Sequence, residues 1–214
     1  MNLTPIIGIP LALFGALMLL ARPAHAPVGV RRTPEKPHIA SPEVTRQIDK
    51  GAYPGTVKEL AIKWSKVFKV PVSWIRSQAY AESKNVLQAK NETSGAIGVL
   101  QILPNTARDL LKSIRRSKFA KHSLVRETLE IGTKNDNSNR DGDSLFNPDV
   151  NIMLATYYMA LLRNKFGNDH DLVAAAYNIG PGHITRCIAT NSPLPERSRV
   201  YLAMVKDAKR RGFV

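Results

Sequence analysis

A chain of 214 residues has room for one domain with its own core and an appendage, and 43% hydrophobic with 22% charged residues is ordinary for a globular protein, so disorder is not expected. The net charge of +14 indicates an anionic partner, such as a cell-wall polymer, anionic lipid or nucleic acid, although a basic solubilising surface explains the charge as well. The single cysteine, Cys187, excludes an intramolecular disulfide.

Residues 1–26 are predicted to be an apolar membrane anchor or signal segment. No charged side chain precedes Arg22, and the apolar run is about as long as a minimal membrane span. Residues 22–26 end in the Ala-x-Ala pattern of a signal-peptide cleavage site. Glycine and proline weaken a spanning helix, while the lack of an early Lys or Arg and the position of Pro27 argue against cleavage. Both interpretations stay open.

Residues 27–55 are predicted to form a basic, proline-rich linker. Prolines at positions 27, 34, 37, 42 and 54 interrupt any periodic pattern, and basic side chains keep the segment solvated. A single folded domain is therefore expected over residues 56–214.

This domain is predicted to be all-α, because apolar residues recur at helical spacing and alternating strand-like runs are scarce. The first apolar stripe covers residues 57–68, and Pro71 ends it. The second helix, with Ser73 as its predicted cap, carries an apolar face toward Glu82. Glycines between residues 92 and 100 leave room for one small β-hairpin.

Further helices are predicted along the rest of the chain. A third starts at Pro104, and a long one starts at Pro148 after an Asn147 cap and closes at Gly167. The last two are expected over residues 171–176 and 199–209.

Two features between these helices have open interpretations. Residues 108–126 combine many cations with apolar residues, which indicates either a basic amphipathic helix lying on an anionic membrane or wall polymer, or merely a solvated helix face. Residues 137–143 resemble the start of an EF-hand calcium loop. Asn137 replaces the first aspartate and Pro148 the closing glutamate, so a polar flexible loop is favoured and no metal site is predicted.

Glu82, within the segment AYAESK at 79–84, is the candidate catalytic residue. Tyr80 and the bulky residues before it can desolvate the carboxyl group and raise its pKa, which suits a general acid near neutral pH. Glycosidic cleavage needs a proton donor and a way to stabilise positive charge on the sugar. No second carboxylate lies in the motif segments, and Asp149 is explained by capping. Taken alone, however, a glutamate at a helix end is usually a solvated charge.

The segment AYAESK, followed by GAIGVLQ at 95–101 and AYNIGPG at 176–182, resembles the soluble lytic transglycosylase (SLT) family of lysozyme-like enzymes. The resemblance runs from about residue 56 to 205. It implies a lysozyme-like domain that cleaves the MurNAc-GlcNAc β-1,4 bond of peptidoglycan and leaves 1,6-anhydromuramic ends. In that family one glutamate, here Glu82, acts first as acid and then as base, and no cofactor is needed.

The resemblance also implies substrate-binding residues. Tyr177 would support the glutamate and Asn178 would bind an N-acetyl or hydroxyl group, although a buried tyrosine and a helix terminator explain them separately. Arg197 stands where the family more usually has an acidic residue, so a local salt bridge is in doubt. The substrate-binding set carried over by position is Ser83, Gly98, Gln101, Tyr177, Asn178 and Tyr201.

Two other functions stay open beside the transglycosylase. A lysozyme-like hydrolase (muramidase) would deliver water instead of the internal hydroxyl, and a non-catalytic assembly protein would use the cleft only to bind glycan. The expected partner is peptidoglycan, with membrane or envelope association and a secretion apparatus or virion as further partners. No nucleic-acid partner is expected. The expected location is the cell envelope, periplasmic or membrane-anchored, with a phage virion as the alternative.

Overall fold

The computed structural model describes residues 56–135 and 143–212. The predicted anchor and linker lie outside the described residues, as does most of the polar loop at 137–143, so the domain boundaries stay predictions. Over the described ranges, no helix combines the length and apolar character that a membrane crossing requires.

The described part is helical, which confirms the all-α prediction. It contains eight α-helices, and short 3₁₀ turns at Lys118–Lys121 and Asp143–Phe146 flank the fourth. The α-helices are α1 (Val57–Phe68), α2 (Val72–Ser83), α3 (Pro104–Arg115), α4 (Ser123–Asn135), α5 (Pro148–Phe166), α6 (His170–Ile179), α7 (Pro181–Ala189) and α8 (Glu196–Arg210).

Helix α5 is the centre of the domain. Asn147 caps it by accepting hydrogen bonds from the backbone N–H groups of the first turn, and Pro148 occupies the first helical position, as predicted. Most of its side chains are buried all round, because α1, α3, α4 and α6 pack against it. Asp149 fixes α1 to its start by accepting from Lys63 Nζ at 2.6 Å and from Trp64 Nε1 at 2.7 Å.

Helices α2, α6 and α8 pack together on one side of the core. Helix α8 contacts both α2 and α6. The ring of Trp74 in α2 stacks on His170 at the start of α6, with centroids 4.5 Å apart and 11° between the planes. These contacts bring the end of α2, the end of α6 and one face of α8 close together.

Several local predictions differ from the structure. Helix α2 begins at Val72 with Pro71 at the cap position, so Ser73 lies inside the helix and the predicted serine cap is wrong. Residues 90–102 form isolated antiparallel bridges, Lys90 with Ile97 and Ile97 with Ile102, rather than a hairpin with paired strands. Helices α4 and α7 were not predicted from the sequence pattern, and α8 begins before residue 199, at Glu196.

The cationic segment 108–126 is not one continuous helix. It spans the end of α3, a 3₁₀ turn and the start of α4. Its apolar residues are directed into the domain: Leu110 and Ile114 are buried, and Phe119 packs on Phe68 with ring centroids 5.0 Å apart. The apolar face that an amphipathic membrane helix would need is thus already used in the core.

Candidate active site

Glu82 lies in the last turn of α2, as the sequence predicts. Two successive residues in the left-handed conformation, Lys84 with φ 59° and Asn85 with φ 66°, end the helix directly after Ser83. Positive φ is uncommon in residues other than glycine, so two in succession make a sharp change of chain direction. The Glu82 side chain keeps partial contact with solvent, while its neighbours Ala81 and Ser83 are buried.

The surroundings of Glu82 favour its protonated form. Its pKa is raised from 4.5 to about 7, chiefly because burial removes water from the carboxyl group. A hydrogen bond from Tyr201 and the charge of Arg197 act in the opposite direction. A carboxyl group with a pKa near neutrality can donate a proton and later accept one at the same pH.

Tyr201 and Gln78 form a polar chain that ends at Glu82. The buried hydroxyl of Tyr201, on α8, hydrogen-bonds the Glu82 carboxyl group. Gln78, fully buried one turn before Glu82 on α2, donates from Nε2 to the Tyr201 oxygen at 3.5 Å. This chain of contacts orients the Tyr201 hydroxyl toward the carboxyl group.

The loop at residues 95–101 is held to the ends of two helices by side-chain hydroxyl groups. Ser83 Oγ on α2 donates to the Val99 carbonyl at 2.8 Å, and Tyr177 Oη on α6 donates to the Leu100 carbonyl, also at 2.8 Å. Because both hydroxyls bond to backbone, they fix the course of the loop beside Glu82.

Asn151, fully buried on α5, is a third attachment for the same loop. Its Oδ1 accepts from the Leu100 N–H at 3.0 Å. Its Nδ2 donates to the carbonyl oxygens of Ile97 at 2.9 Å and Leu145 at 3.1 Å. The single amide therefore satisfies three buried backbone groups in two separate segments.

Gly98 is required by the close approach of this amide. Its φ of 79° lies in the region that disfavours side chains. A Cβ at this position would overlap the Asn151 amide and stand 2.7 Å from the Leu145 carbonyl oxygen. Packing alone thus accounts for a glycine here, and its role toward substrate stays a prediction.

Gln101 ends the loop in a left-handed conformation, with φ 47°. Its side-chain Nε2 donates to the Gly98 carbonyl at 2.8 Å, which closes the loop on itself, and the side chain remains partly exposed. Its predicted contact with sugar stays a prediction.

Tyr177 and Asn178 occupy the end of α6. The Tyr177 ring lies 5.3 Å from that of Tyr158, and its pKa is raised well above 10.0 by burial, followed by the charges of Glu82 and Tyr158. The Asn178 Oδ1 is buried and has no hydrogen-bond partner among the described residues. A buried amide oxygen without a donor is costly, and a sugar hydroxyl or N-acetyl N–H would supply one.

The structure thus brings all seven predicted residues to one region formed by the ends of α2 and α6, the loop and α8. Sequence reasoning missed two further residues, Gln78 and Asn151. Gln78 was detectable in principle, because it precedes Glu82 by four residues and shares its helix face. Asn151 has no local signal, since its two partners in the loop lie more than 50 residues away and its third is a backbone carbonyl, that of Leu145.

Ser83→Ala tests whether the serine holds the loop or touches substrate. Because the hydroxyl is buried and bonds to backbone carbonyls, we expect the free energy of unfolding to fall by about 1–2 kcal/mol with little change in KM. Urea unfolding together with kinetics on glycan strands measures both. A large rise in KM at unchanged stability would assign the hydroxyl to substrate instead.

Comparison with known proteins gives a family match and several similar proteins. The family of transglycosylase SLT domains matches residues 59–199. Soluble lytic murein transglycosylases of Escherichia coli K12 and of Salmonella typhimurium LT2 are each 24% identical over 162 residues, which is 76% of this chain and 22% of theirs. The structure of an inactive mutant of lytic transglycosylase Slt from Pseudomonas aeruginosa aligns with a TM-score of 0.49 and 21% identity, covering 78% of this chain and 25% of that one.

The chain spans about a fifth of the length of these curated relatives, so the likeness concerns one domain of larger proteins. The family match itself covers more than half of this chain and includes Glu82, the loop at 95–101 and the end of α6. This protein belongs to the family of transglycosylase SLT domains.

Proposed function

We propose that this protein is a peptidoglycan lytic transglycosylase. It cleaves the β-1,4 bond between MurNAc and GlcNAc and leaves 1,6-anhydromuramic ends. The observation that carries the proposal is the desolvated Glu82 carboxyl, with its pKa of about 7, between the loop at 95–101 and the tyrosines of α6 and α8. Membership of the SLT family supports the same chemistry.

The proposed reaction uses the Glu82 carboxyl group twice, first as an acid and then as a base. Protonated Glu82 gives its proton to the glycosidic oxygen as the bond from that oxygen to C1 of MurNAc breaks. The Glu82 carboxylate then takes the proton of the C6 hydroxyl of the same sugar, and this oxygen bonds to C1. The proton returns to Glu82, water is not consumed, and Tyr201 stabilises the carboxylate between the two steps.

The charges around Glu82 favour this route over the lysozyme-like hydrolase. A second carboxylate would help to position water or stabilise a sugar cation. Among described residues, the charged or polar groups that shift the pKa of Glu82 are Tyr201 and Arg197, and no carboxylate is among them. Asp149 is engaged by Lys63 and Trp64. A non-catalytic glycan-binding role would leave the raised pKa without a use.

The product ends distinguish the three functions. Purified peptidoglycan is digested with the full-length protein, with the Glu82→Gln variant alongside, and the fragments are identified by mass spectrometry. We expect 1,6-anhydro ends that depend on Glu82. Reducing muramic ends would show a hydrolase, and intact strands with a folded, glycan-binding protein would show an assembly role.

The proposed substrate places the protein in the cell envelope. Residues 1–26 would serve as its anchor or export signal, and a phage virion remains the alternative setting. Recovery of a mature N-terminus at Pro27 from the envelope fraction would establish cleavage, whereas an intact chain that resists a high-salt wash of the membranes would establish an anchor.

Arg197 gives a prediction for the pH dependence of the reaction. Glu82 must start protonated, so kcat/KM is expected to fall as pH rises through about 7. Arg197 lowers the pKa of Glu82, so Arg197→Gln should raise it and move this fall to higher pH. Arg199→Gln, an exposed change on the same helix, should leave the profile in place. A profile that stays fixed or moves to lower pH in Arg197→Gln would contradict the assignment.

A further inference from the structure

One group of surface cations lies on elements that contribute nothing to the candidate active site. It extends from the end of α3 through the 3₁₀ turn at Lys118–Lys121 to the first turn of α4, and we name it the basic surface. All its members are exposed. They are Lys112, Arg115, Arg116, Lys118, Lys121 and Arg126.

No ion pair of these six cations is found within the described ranges, and the carboxylate nearest to Arg115 and Arg126 in their shared depression is that of Glu130. The ion pairs of the described residues lie elsewhere, for example Lys63 with Asp149 and Lys206 with Asp171. Like charges crowded on one surface repel one another, so the arrangement is unfavourable in the free protein. A polyanion that covered the surface would remove this repulsion and release counterions.

The basic surface is presented by a fixed scaffold. Phe119, within the 3₁₀ turn, contacts the rings of Phe68 and Tyr157, with centroids 5.0 and 6.1 Å away. The Ser113 and Tyr157 hydroxyl groups, 2.9 Å apart, tie α3 to α5. Arg115 and Arg126, from two different helices, line the same shallow depression together with Ala120, Leu129 and the carboxylate of Glu130.

The position of the basic surface separates it from catalysis. Helices α3 and α4 pack on α5, whereas α2 and α8, which carry Glu82 and Tyr201, pack on each other and α8 also packs on α6. Of its apolar residues, Leu110 and Ile114 are buried and Phe119 is partly buried against the core, so the surface offers mainly charge. A ligand bound there is held chiefly by electrostatic attraction.

We propose that the basic surface is a second binding site for peptidoglycan, which holds the carboxylates of the peptide stems outside the catalytic cleft. This inference rests on the proposed function, because it takes the polymeric substrate of the cleft as the ligand of both sites. Peptidoglycan carries stem carboxylates at intervals along every strand, so one sacculus can occupy both sites together. The second contact keeps the enzyme on the wall between cleavage events.

The test is binding to purified sacculi, measured by co-sedimentation of full-length protein carrying Glu82→Gln, so that the polymer survives. The test variant is Lys112→Gln/Arg115→Gln/Arg126→Gln. The control is Lys58→Gln/Lys66→Gln/Lys209→Gln, which removes the same charge from exposed positions elsewhere. At low salt we expect the test variant to bind about tenfold more weakly and the control less than about threefold. The difference in binding between the test and control variants should vanish near about 0.5 M salt, because salt screens the charges.

Three further results would overturn the proposal. Equal weakening in test and control variants would show a general effect of net charge. Tighter binding of the unsubstituted surface to duplex DNA, or to vesicles of phosphatidylglycerol and phosphatidylcholine, would assign it to another macromolecule. A fall in kcat on short soluble muropeptides in the test variant with active Glu82 would place the surface in catalysis. Failure of the proposed function is seen separately, as absence of anhydro ends from wild-type digests.

Discussion

Replacing Glu82 with glutamine is expected to abolish glycan cleavage, with a fall in kcat on the order of 10³-fold or more. Glutamine keeps the size of the side chain and can still accept the hydrogen bond from Tyr201, but it cannot donate a proton to the glycosidic oxygen. Because the proposed mechanism uses the same group as the base, both steps should be lost together. Release of soluble fragments from peptidoglycan measures the effect, and substantial residual turnover would remove Glu82 from the acid role.

The same variant should be more stable than wild type at alkaline pH. The folded-state pKa of Glu82, about 7, lies above the ordinary value of 4.5, so the folded state binds the proton more tightly than the unfolded state. Wild-type stability therefore falls as pH rises from about 4.5 to 7 and then levels off. Glutamine lacks this loss, and at pH 8 the gain should be on the order of 2 kcal/mol after allowance for the partial exposure of the side chain.

Urea unfolding of both proteins at pH 4.5 and pH 8 checks this expectation. The two free energies should nearly agree at the lower pH, where the carboxyl group is protonated in the folded state and about half protonated in the unfolded state. Equal stability at pH 8 would show that the carboxyl group is better solvated than its surroundings indicate. Loss of stability at both pH values would show that glutamine disturbs packing, in which case inactivity would not identify a catalytic role.

Replacing Asn151 with alanine is expected to lower the free energy of unfolding by about 3–4 kcal/mol. The change removes the Asn151 bonds to the Leu100 N–H and to the Ile97 and Leu145 carbonyl groups, of which the Ile97 carbonyl keeps its bond from the Ile102 N–H. The loop beside Glu82 also loses its attachment to α5, so kcat/KM should fall even under conditions where the variant remains folded. Chemical unfolding and kinetics on glycan strands measure the two effects.

The control for this change is Asn105→Ala. The Asn105 side chain is exposed at the start of α3 and accepts from Arg108 at 3.3 Å, so its loss should cost no more than about 0.5 kcal/mol. If Asn151→Ala cost as little as the control, water or a rearranged backbone would be replacing the amide. If stability fell while kcat/KM stayed constant, the loop would hold its position without α5.

The predicted elements were reliable where local signals agree. Two signals indicate the start of α5, because Asn147 can cap the helix and Pro148 suits its first position. Gly167 lies directly after its last residue. The first stripe is helical because its apolar spacing coincides with a capping box at Thr56 and Glu59. Such segments can be predicted from the sequence because the apolar spacing, the capping residues and the helix-breaking residues all indicate the same helix.

The elements that were not predicted lie where the same residues are compatible with two different local structures. The residues after Asn178 are compatible with a helix terminator, and α6 does end at Ile179, but Pro181 is also the first residue of α7. The cations of 108–126 are compatible with an amphipathic membrane helix and with a solvated helix face, whereas the chain forms a 3₁₀ turn there and the partly buried Phe119 packs on Phe68. In these segments, packing against residues distant in sequence determines the local structure, and the spacing of neighbouring residues does not reveal it.

The candidate site was predictable only as far as the motif segments extend. They identified Glu82, Tyr177 and Asn178, because each of these residues lies in a short segment that resembles a motif of the family. The contacts that join the segments are between side chains and distant backbone groups, such as Ser83 with Val99 and Tyr177 with Leu100. Their partners are carbonyl groups, which every residue carries, so no residue type marks them in the sequence.

The attachment of the 95–101 loop to α2, α5 and α6 has a consequence for the mobility of the loop. A lid that opens by itself needs few bonds to its surroundings, whereas this loop detaches only when its bonds to Ser83, Asn151 and Tyr177 all break. Its opening therefore costs more free energy than the opening of a loop without such attachments. The position of the loop beside Glu82 is thus fixed by the fold itself, without help from a bound ligand.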